Sequence, residues 1–243
     1  MEAIVLAGSL GTRLRSTVPD LPKPMAPVAG RPFLECLLAY WTGQGVTRFI
    51  LSVGYRRDAI TGHFGTAWCG VPVSYAVEET PLGTGGALLL ATESLSRPGP
   101  FLVLNGDTYF EVTLGDLLEF HRKNRADATF SLFRSPQQGR YTGLRLAASG
   151  EVLSLTAAEP GAPANGGVYL MERAWLERRL CPKDGPCSFE TDMLPGALQA
   201  GKRLYGREFS GTFIDIGVPE DYARAGEILA RREPQSTNHD PRS

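Results

Sequence analysis

Apolar, β-rich runs fall at 4–6, 49–53, 73–77 and 101–104, interrupted only by Ser52 and Ser74, where a strand with one wet face would alternate throughout. Runs of this kind belong to strands covered on both faces. Helix-like stretches at 32–42, 57–64 and 85–93 lie between them, with Pro32 suited to a first helical turn. Strands alternating with helices predict an α/β fold, a Rossmann-like, mainly parallel sheet flanked by helices.

The second half has a different texture. After a helix expected at 114–124, the candidate strands at 128–133, 144–147, 152–155 and 168–171 are shorter, with Gly and Pro between them. They predict a mixed extension of the sheet that forms the other wall of a cleft. Later helices are expected at 189–199 and 219–231, the second carrying Tyr222, Ala225, Ile228 and Leu229 at helical spacing. Residues 233–243 are polar and free of aromatics, as a disordered tail is. No linker-like stretch divides residues 1–232, which are read as one domain with halves at 1–110 and 111–232.

Composition narrows the chemistry. A chain of 243 residues, 42% hydrophobic and 21% charged, can bury a sizeable core. Its net charge of −1 gives no broad attraction for nucleic acid or an anionic membrane, so any polyanion must be met by a local group of cations. Nothing resembles a secretion signal, and no run is long enough to span a bilayer. The cysteines Cys36, Cys69, Cys181 and Cys187 lack zinc-type spacing, and the last two are read as reduced thiols around a Pro/Gly loop. A cytoplasmic location is expected.

The first strand runs into Ala7-Gly8-Ser9-Leu10-Gly11-Thr12-Arg13-Leu14, and Lys23-Pro24-Met25 follows shortly after. Glycines let a backbone pass close to a ligand, and successive N–H groups in such a turn point at phosphate oxygens. Neither the Walker spacing nor the three-glycine dinucleotide fingerprint is present. On its own the Gly-x-x-Gly is a strand-exit turn; Arg13 and Lys23 beside it point to a nucleoside triphosphate. Asn105-Gly106-Asp107 ends the fourth strand at the same sheet edge, where ligands of such folds collect.

These segments resemble the sugar nucleotidyltransferases, whose opening signature reads approximately Gly-Gly-x-Gly-Thr-Arg-Leu, then Pro-Lys-Pro-Met-x-Pro-Val. This chain supplies Gly8-Ser9-Leu10-Gly11-Thr12-Arg13-Leu14 and Pro22-Lys23-Pro24-Met25-Ala26-Pro27-Val28. Family-like segments continue in order at Pro81-Leu82-Gly83-Thr84-Gly85-Gly86, Asn105-Gly106-Asp107, Asn165-Gly166-Gly167-Val168-Tyr169, Phe189-Glu190-Thr191-Asp192 and Asp215-Ile216-Gly217-Val218-Pro219. The resemblance implies a nucleotide-diphospho-sugar transferase fold of GT-A-like type, with a nucleotide-binding first half and a sugar-binding second half. It further implies transfer of a nucleotidyl group to a sugar 1-phosphate, release of pyrophosphate, and Mg²⁺ as cofactor. The texture is most similar to heptose 1-phosphate guanylyltransferases, so GTP is the favoured nucleotide. Mannose 1-phosphate guanylyltransferases and the glucose 1-phosphate thymidylyl, uridylyl and cytidylyl enzymes are the competitors. Neither nucleic acid nor membrane is an expected partner, and a homo-oligomer stays open. A noncatalytic nucleotide-sugar binder is the alternative of another class.

By that resemblance Arg13 and Lys23 are catalytic, the first gripping the triphosphate through a planar fork and the second offering a point charge to the α-phosphate. Leu6, Ala7, Gly8, Ser9, Gly11, Thr12, Arg13, Leu82, Gly83, Thr84 and Gly106 are expected around the nucleotide. Guanine presents adjacent N1–H and N2–H₂ donors, which suit Glu79 or the backbone near Leu82, while Glu78 reads as an exposed loop residue. Asp107 and Asp215 would hold the metal, since Mg²⁺ takes one or two carboxylates and fills its shell with phosphate and water. Asn105, Asn165, Gly166, Gly167, Glu190 and Asp192 would meet the sugar phosphate, although Glu190 and Asp192 equally suit helix capping. Two departures stand out: Ser9 replaces a usual glycine, and Ala158-Glu159-Pro160 stands where many relatives read Glu-Lys-Pro. The second reverses a charge beside the expected phosphate: either another cation, such as Arg134, Arg140 or Arg145, substitutes, or the substrate sits differently, or activity is low.

Overall fold

A computed structural model describes residues 1–8, 14, 18–176 and 180–230. Its first half contains β1 (Glu2–Leu6), β2 (Pro27–Val28), β3 (Arg31–Pro32), α1 (Phe33–Gly43), β4 (Arg48–Val53), α2 (Arg57–Phe64), β5 (Ala67–Trp68), β6 (Val71–Val77), α3 (Gly83–Thr92), β7 (Phe101–Asn105) and β8 (Thr108–Phe110). The second half adds α4 (Leu114–Asn124), β9 (Ala128–Arg134), β10 (Thr142–Leu146), β11 (Val152–Ala157), β12 (Pro163–Met171), α5 (Leu194–Gln199), β13 (Leu204–Glu208), β14 (Phe213–Asp215) and α6 (Pro219–Ala230).

The apolar runs pair as parallel neighbours in the order β7-β1-β4-β6, the middle of a ten-stranded sheet. Successive residues face opposite layers. Ala3, Val5, Phe49 and Leu51 join one cluster with Leu34, Leu37, Leu38 and Trp41 of α1, while Ile4, Ile50 and Val103 join another with Leu88, Ala91, Met193 and Leu194. Burial on both sides is why these strands show no polar alternation, and each such aliphatic side chain contributes about 1.5–3 kcal/mol of transfer free energy.

From β1 the chain builds outward through β4 and β6, then crosses back to place β7 on the other flank of β1. That reversal opens a crevice beyond the carboxyl ends of β1 and β7. The mixed extension expected for the second half is present: β12 runs antiparallel to β7 and β9, β10 and β11 continue that side, and β13 pairs with β9. Outside the main sheet, β14 pairs antiparallel with β8, with Asp215 opposite Thr108.

The expected elements differ from the observed ones in a few places. Pro32 precedes the first turn of α1, with extended φ/ψ in the short β3 ladder, because its ring fixes φ without requiring helical ψ. The helix expected at 189–199 begins as a wider π-helical turn, Phe189–Met193, before α5. The strand expected at 168–171 extends back to Pro163 through a register shift at Asn165-Gly166-Gly167. Cys181 and Cys187 are not free thiols but form a disulfide. Backbone hydrogen bonds between Cys187 and the Leu82–Gly86 loop fold this segment back, leaving the two Cα atoms 5.2 Å apart, a bridging distance. Among the described residues no helix is long and apolar enough to cross a membrane. The tail expected at 233–243 lies outside the described residues.

Candidate active site

Two cavities occupy the carboxyl edge of the sheet, one on each side of the β1 exit. The first, about 490 Å³, is walled by Leu6, Gly8, Ser52, Gly54, Tyr55, Glu78, Glu79, Pro81, Gly83 and Thr84. Glu78 follows β6 directly, and its amide donates to the Val53 carbonyl at 2.8 Å, which extends the ladder and turns the side chain inward. Its carboxylate accepts from Leu82 N–H at 3.2 Å and from the Ser52 hydroxyl at 3.3 Å, and a Cβ on Gly8 would stand 2.5 Å from its Oε1. Burial pushes its pKa up, and those two hydrogen bonds only partly offset the shift. Glu79, by contrast, is exposed and pairs with Arg57 at 2.9 Å.

Gly83 takes φ +73° at the start of α3, where any side chain would strike the carbonyl of Cys187. That carbonyl accepts from Gly85 and Gly86, the Cys187 amide donates to the Leu82 carbonyl, and Phe189 N–H donates to Thr84 Oγ1 at 2.9 Å. Leu82 therefore has both backbone groups engaged within the protein. Gly106 N–H donates to Leu6 O at 3.0 Å, and the absence of a side chain lets the turn after β7 lie against Ala7.

On the wall of the second cavity lies a knot of charge. Lys23 opens a short 3₁₀ turn, is 7% exposed, and donates to Asp107; its Nζ is 3.9 Å from Asp215 Oδ1. The register of β14 against β8 brings the two aspartates together across 108 residues of chain, with Ile216 N–H donating to Asp107 O. Gly217 N–H donates to Asp215 Oδ1 at 2.6 Å. The Asp215 pKa is raised by burial first and by Asp107 second, against the opposing pull of Lys23, the Gly217 amide and Arg140. Two convergent carboxylates that repel one another suit a divalent cation. No group of three or more acidic, His or Cys residues that could hold a metal occurs among the described residues, so the remaining ligands of such an ion would be phosphate and water, as Mg²⁺ prefers.

The second cavity, about 400 Å³, lies between β7, β10, β12 and β14 and includes Lys23, Asn105, Asp107, Arg140, Thr142, Asn165, Gly167, Glu190 and Asp215. A bulge in β12 turns Asn165 toward it. Asn165 Oδ1 accepts from Gly167 N–H, and its amide donates to Glu190 Oε1 at 3.0 Å and to the Tyr169 hydroxyl at 2.8 Å. Glu190 also accepts from Thr142 at 3.2 Å, and burial raises its pKa. Gly166 packs its bare Cα against the Phe110 ring. Asp192 is turned to a structural task, accepting from Ser188 N–H at 2.7 Å at the start of the π-helical turn.

A family model described as nucleotidyl transferase matches residues 2–232. The chain belongs to this family. It is 38% identical over 233 residues to the D-glycero-alpha-D-manno-heptose 1-phosphate guanylyltransferase of Aneurinibacillus thermoaerophilus, covering 94% of this chain and 98% of that protein. The mannose-1-phosphate guanylyltransferase of Mycobacterium tuberculosis is 34% identical over 95% of this chain and 65% of its own length. Among solved structures, HddC from Yersinia pseudotuberculosis complexed with GMP-PN is similar with a TM-score of 0.80 at 34% identity, covering 94% of this chain and 99% of that one. The mainly parallel α/β architecture read from the sequence is thus the architecture of the family.

In this nucleotidyl transferase the fold brings Leu6, Gly8, Glu79, Gly83 and Thr84 to one cavity and Lys23, Asn105, Asp107, Asn165, Gly167, Glu190 and Asp215 to the other. Ser9, Gly11, Thr12 and Arg13 lie outside the described residues. Sequence reasoning missed Glu78, taken for a loop residue although it directly continues a buried strand. It also missed Gly217, whose small size is required beside Asp215 and Lys23.

Proposed function

We propose that this enzyme transfers the guanylyl group of GTP to D-glycero-α-D-manno-heptose 1-phosphate, with Mg²⁺ as cofactor. The observation that carries the reading is the Asp107–Lys23–Asp215 knot on the wall of a polar cavity lined by amide and carboxylate groups, with a second cavity roomy enough for a nucleoside on the other side of the β1 exit. The carboxylate of Glu78 in the first cavity supports guanine, whose N1–H and N2–H₂ donors meet two acceptor oxygens; Glu79, exposed and paired with Arg57, is displaced from that role. The relatives named heptose 1-phosphate guanylyltransferases support the sugar.

In the reaction an oxygen of the sugar phosphate attacks the α-phosphorus of GTP. The new P–O bond forms as the bond to the β-phosphate oxygen breaks, and pyrophosphate leaves with that electron pair. No protein nucleophile is needed; the task is to hold two polyanions in line and to balance the charge on the α-phosphoryl oxygens. Bound by Asp107 and Asp215, Mg²⁺ would neutralise phosphate charge. Lys23, released from its carboxylate partners, supplies the cation nearest the reacting phosphorus, and Arg13 grips the triphosphate. Glu190 and Asn165 orient the sugar hydroxyls. The need for a nucleoside triphosphate supports a cytoplasmic location, while the Cys181–Cys187 disulfide withdraws the reduced-thiol argument for it.

A pyrophosphate-release screen of each nucleoside triphosphate against heptose, mannose and glucose 1-phosphates, with and without Mg²⁺, tests the reading. GTP with the heptose is the expected pair; exclusive use of dTTP with glucose 1-phosphate would overturn it.

A further inference from the structure

We propose that Arg140 is the cation that receives the phosphate of the sugar 1-phosphate, an inference that rests on the proposed function. The second cavity must accept a dianion although Asp107, Glu190 and Asp215 already face it. Lys23, beside Asp107 and Asp215, is the cation already given to the reacting phosphorus of GTP. Of the other candidate cations, Arg134 binds Glu208 and the Gly161 carbonyl, and Arg145 lines a separate cavity. Arg140 lines the cavity itself, and its side chain is only 14% exposed.

Its position is built by backbone. Gly139 N–H donates to Ala158 O at 2.7 Å and Ala158 N–H donates to Tyr141 O at 3.0 Å, so Arg140 sits directly across from Ala158 between two ladder bonds. The charge that the Ala158-Glu159-Pro160 segment fails to supply is thereby delivered from the facing strand. Glu159 is exposed and lines the separate cavity with Arg145, so its negative charge stays clear of the cleft. The guanidinium lies 5.0 Å from the Tyr141 ring centroid, with Nη1 bonded to Asp221 and Nη2 only 3.3 Å from Asp215 Oδ2. Its Nε is buried without a hydrogen-bond partner. Asp221 and the ring fix the fork, and the long Nη2 contact leaves that nitrogen to donate to a phosphate oxygen, a charge-assisted bond from a side chain already held in place.

Steady-state kinetics on Arg140→Gln and Arg140→Lys decide the matter. The expected result is a KM for heptose 1-phosphate raised by about 10²-fold in Arg140→Gln, a smaller rise in Arg140→Lys, and a KM for GTP changed by less than about threefold. Because Arg140→Gln leaves Asp221 short of a partner, the double variant Arg140→Gln/Asp221→Asn repeats the test without the stranded carboxylate. Glu159→Lys is expected to leave the sugar-phosphate KM within about twofold. An unchanged sugar-phosphate KM in the Arg140 variants, an equal rise in both KM values, or a tenfold tightening by Glu159→Lys would overturn the assignment. Stabilisation by inorganic phosphate in thermal melts separates this claim from the activity: a shift in the wild type that Arg140→Gln loses supports the site even where the substrate screen fails, and no shift in the wild type refutes it.

Discussion

The two ends of β1 hold carboxylates in opposite ways. At the amino end Glu2, 4% exposed, accepts from Arg48 Nη1 at 2.7 Å, from the Ser96 amide and hydroxyl, and from the Arg97 amide at 2.9 Å. Burial opposes its charge, yet these donors together hold its pKa below the ordinary value. Beyond the carboxyl edge Glu78 and Glu190 accept two hydrogen bonds each and Asp215 faces Asp107, and burial drives each pKa upward. One end of the sheet is finished by its own hydrogen bonds; at the other, burial outweighs them. A buried acid is therefore informative about function only once its donors are counted.

The most severe way to break the contrast is to remove charge from the knot at the functional end. Asp107→Asn and Lys23→Ala are each expected to lower pyrophosphate release by at least about 10²-fold, with melting temperatures that show a folded protein. Next in size, Glu78→Gln is expected to cost about 10- to 100-fold in kcat/KM for GTP, because a carbonyl and an amide replace two acceptors. Glu79→Ala, one residue along, changes it by less than about twofold, since an exposed ion pair contributes little.

At the finished end, Glu2→Gln is expected to cost about 1.5–3 kcal/mol in chemical denaturation while turnover per folded molecule stays constant. The pH dependence carries the sign of the comparison. With its folded pKa lowered from 4.5, Glu2 contributes stability that is present above pH 4.5 and lost as pH falls through the folded value, so Glu2→Gln and wild type converge in acid. Glu190 behaves inversely: with its folded pKa raised, the ligand-free protein is stabilised relative to its unfolded chain below pH 4.5 and loses that contribution as pH rises through the folded value. Melting temperatures from pH 4 to 8 therefore show Glu190→Gln gaining on wild type as pH rises. Parallel pH profiles for the Glu2 and Glu190 variants would abolish the distinction between the two ends.

The parallel strands and their helices were legible because burial on both faces leaves an apolar run that needs no knowledge of tertiary context. The short ladder of β14 on β8 was not, since three residues carry no period, yet it is this ladder that joins Asp107 to Asp215. Motif order brought Lys23 and both aspartates forward. It read Glu78 as an exposed loop residue, because adjacent glutamates look alike until a strand's last hydrogen bond turns one of them inward; Glu78 and Glu79 both line the first cavity. Arg140 was one of several candidate cations in the sequence, and its backbone pairing with Ala158 and its place in the second cavity separate it from Arg134 and Arg145. The disulfide escaped because six-residue spacing says nothing of a loop folded back by contacts with residues a hundred positions earlier.

That loop joins the two cavities. Two of the first four amides of α3, those of Gly85 and Gly86, are occupied by the Cys187 carbonyl, so part of the positive pole of the helix is spent within the protein. The same linkage ties Gly83 and Thr84, in the wall of the first cavity, to the stretch that carries Glu190 in the wall of the second, and the Cys181–Cys187 bridge anchors that stretch in turn.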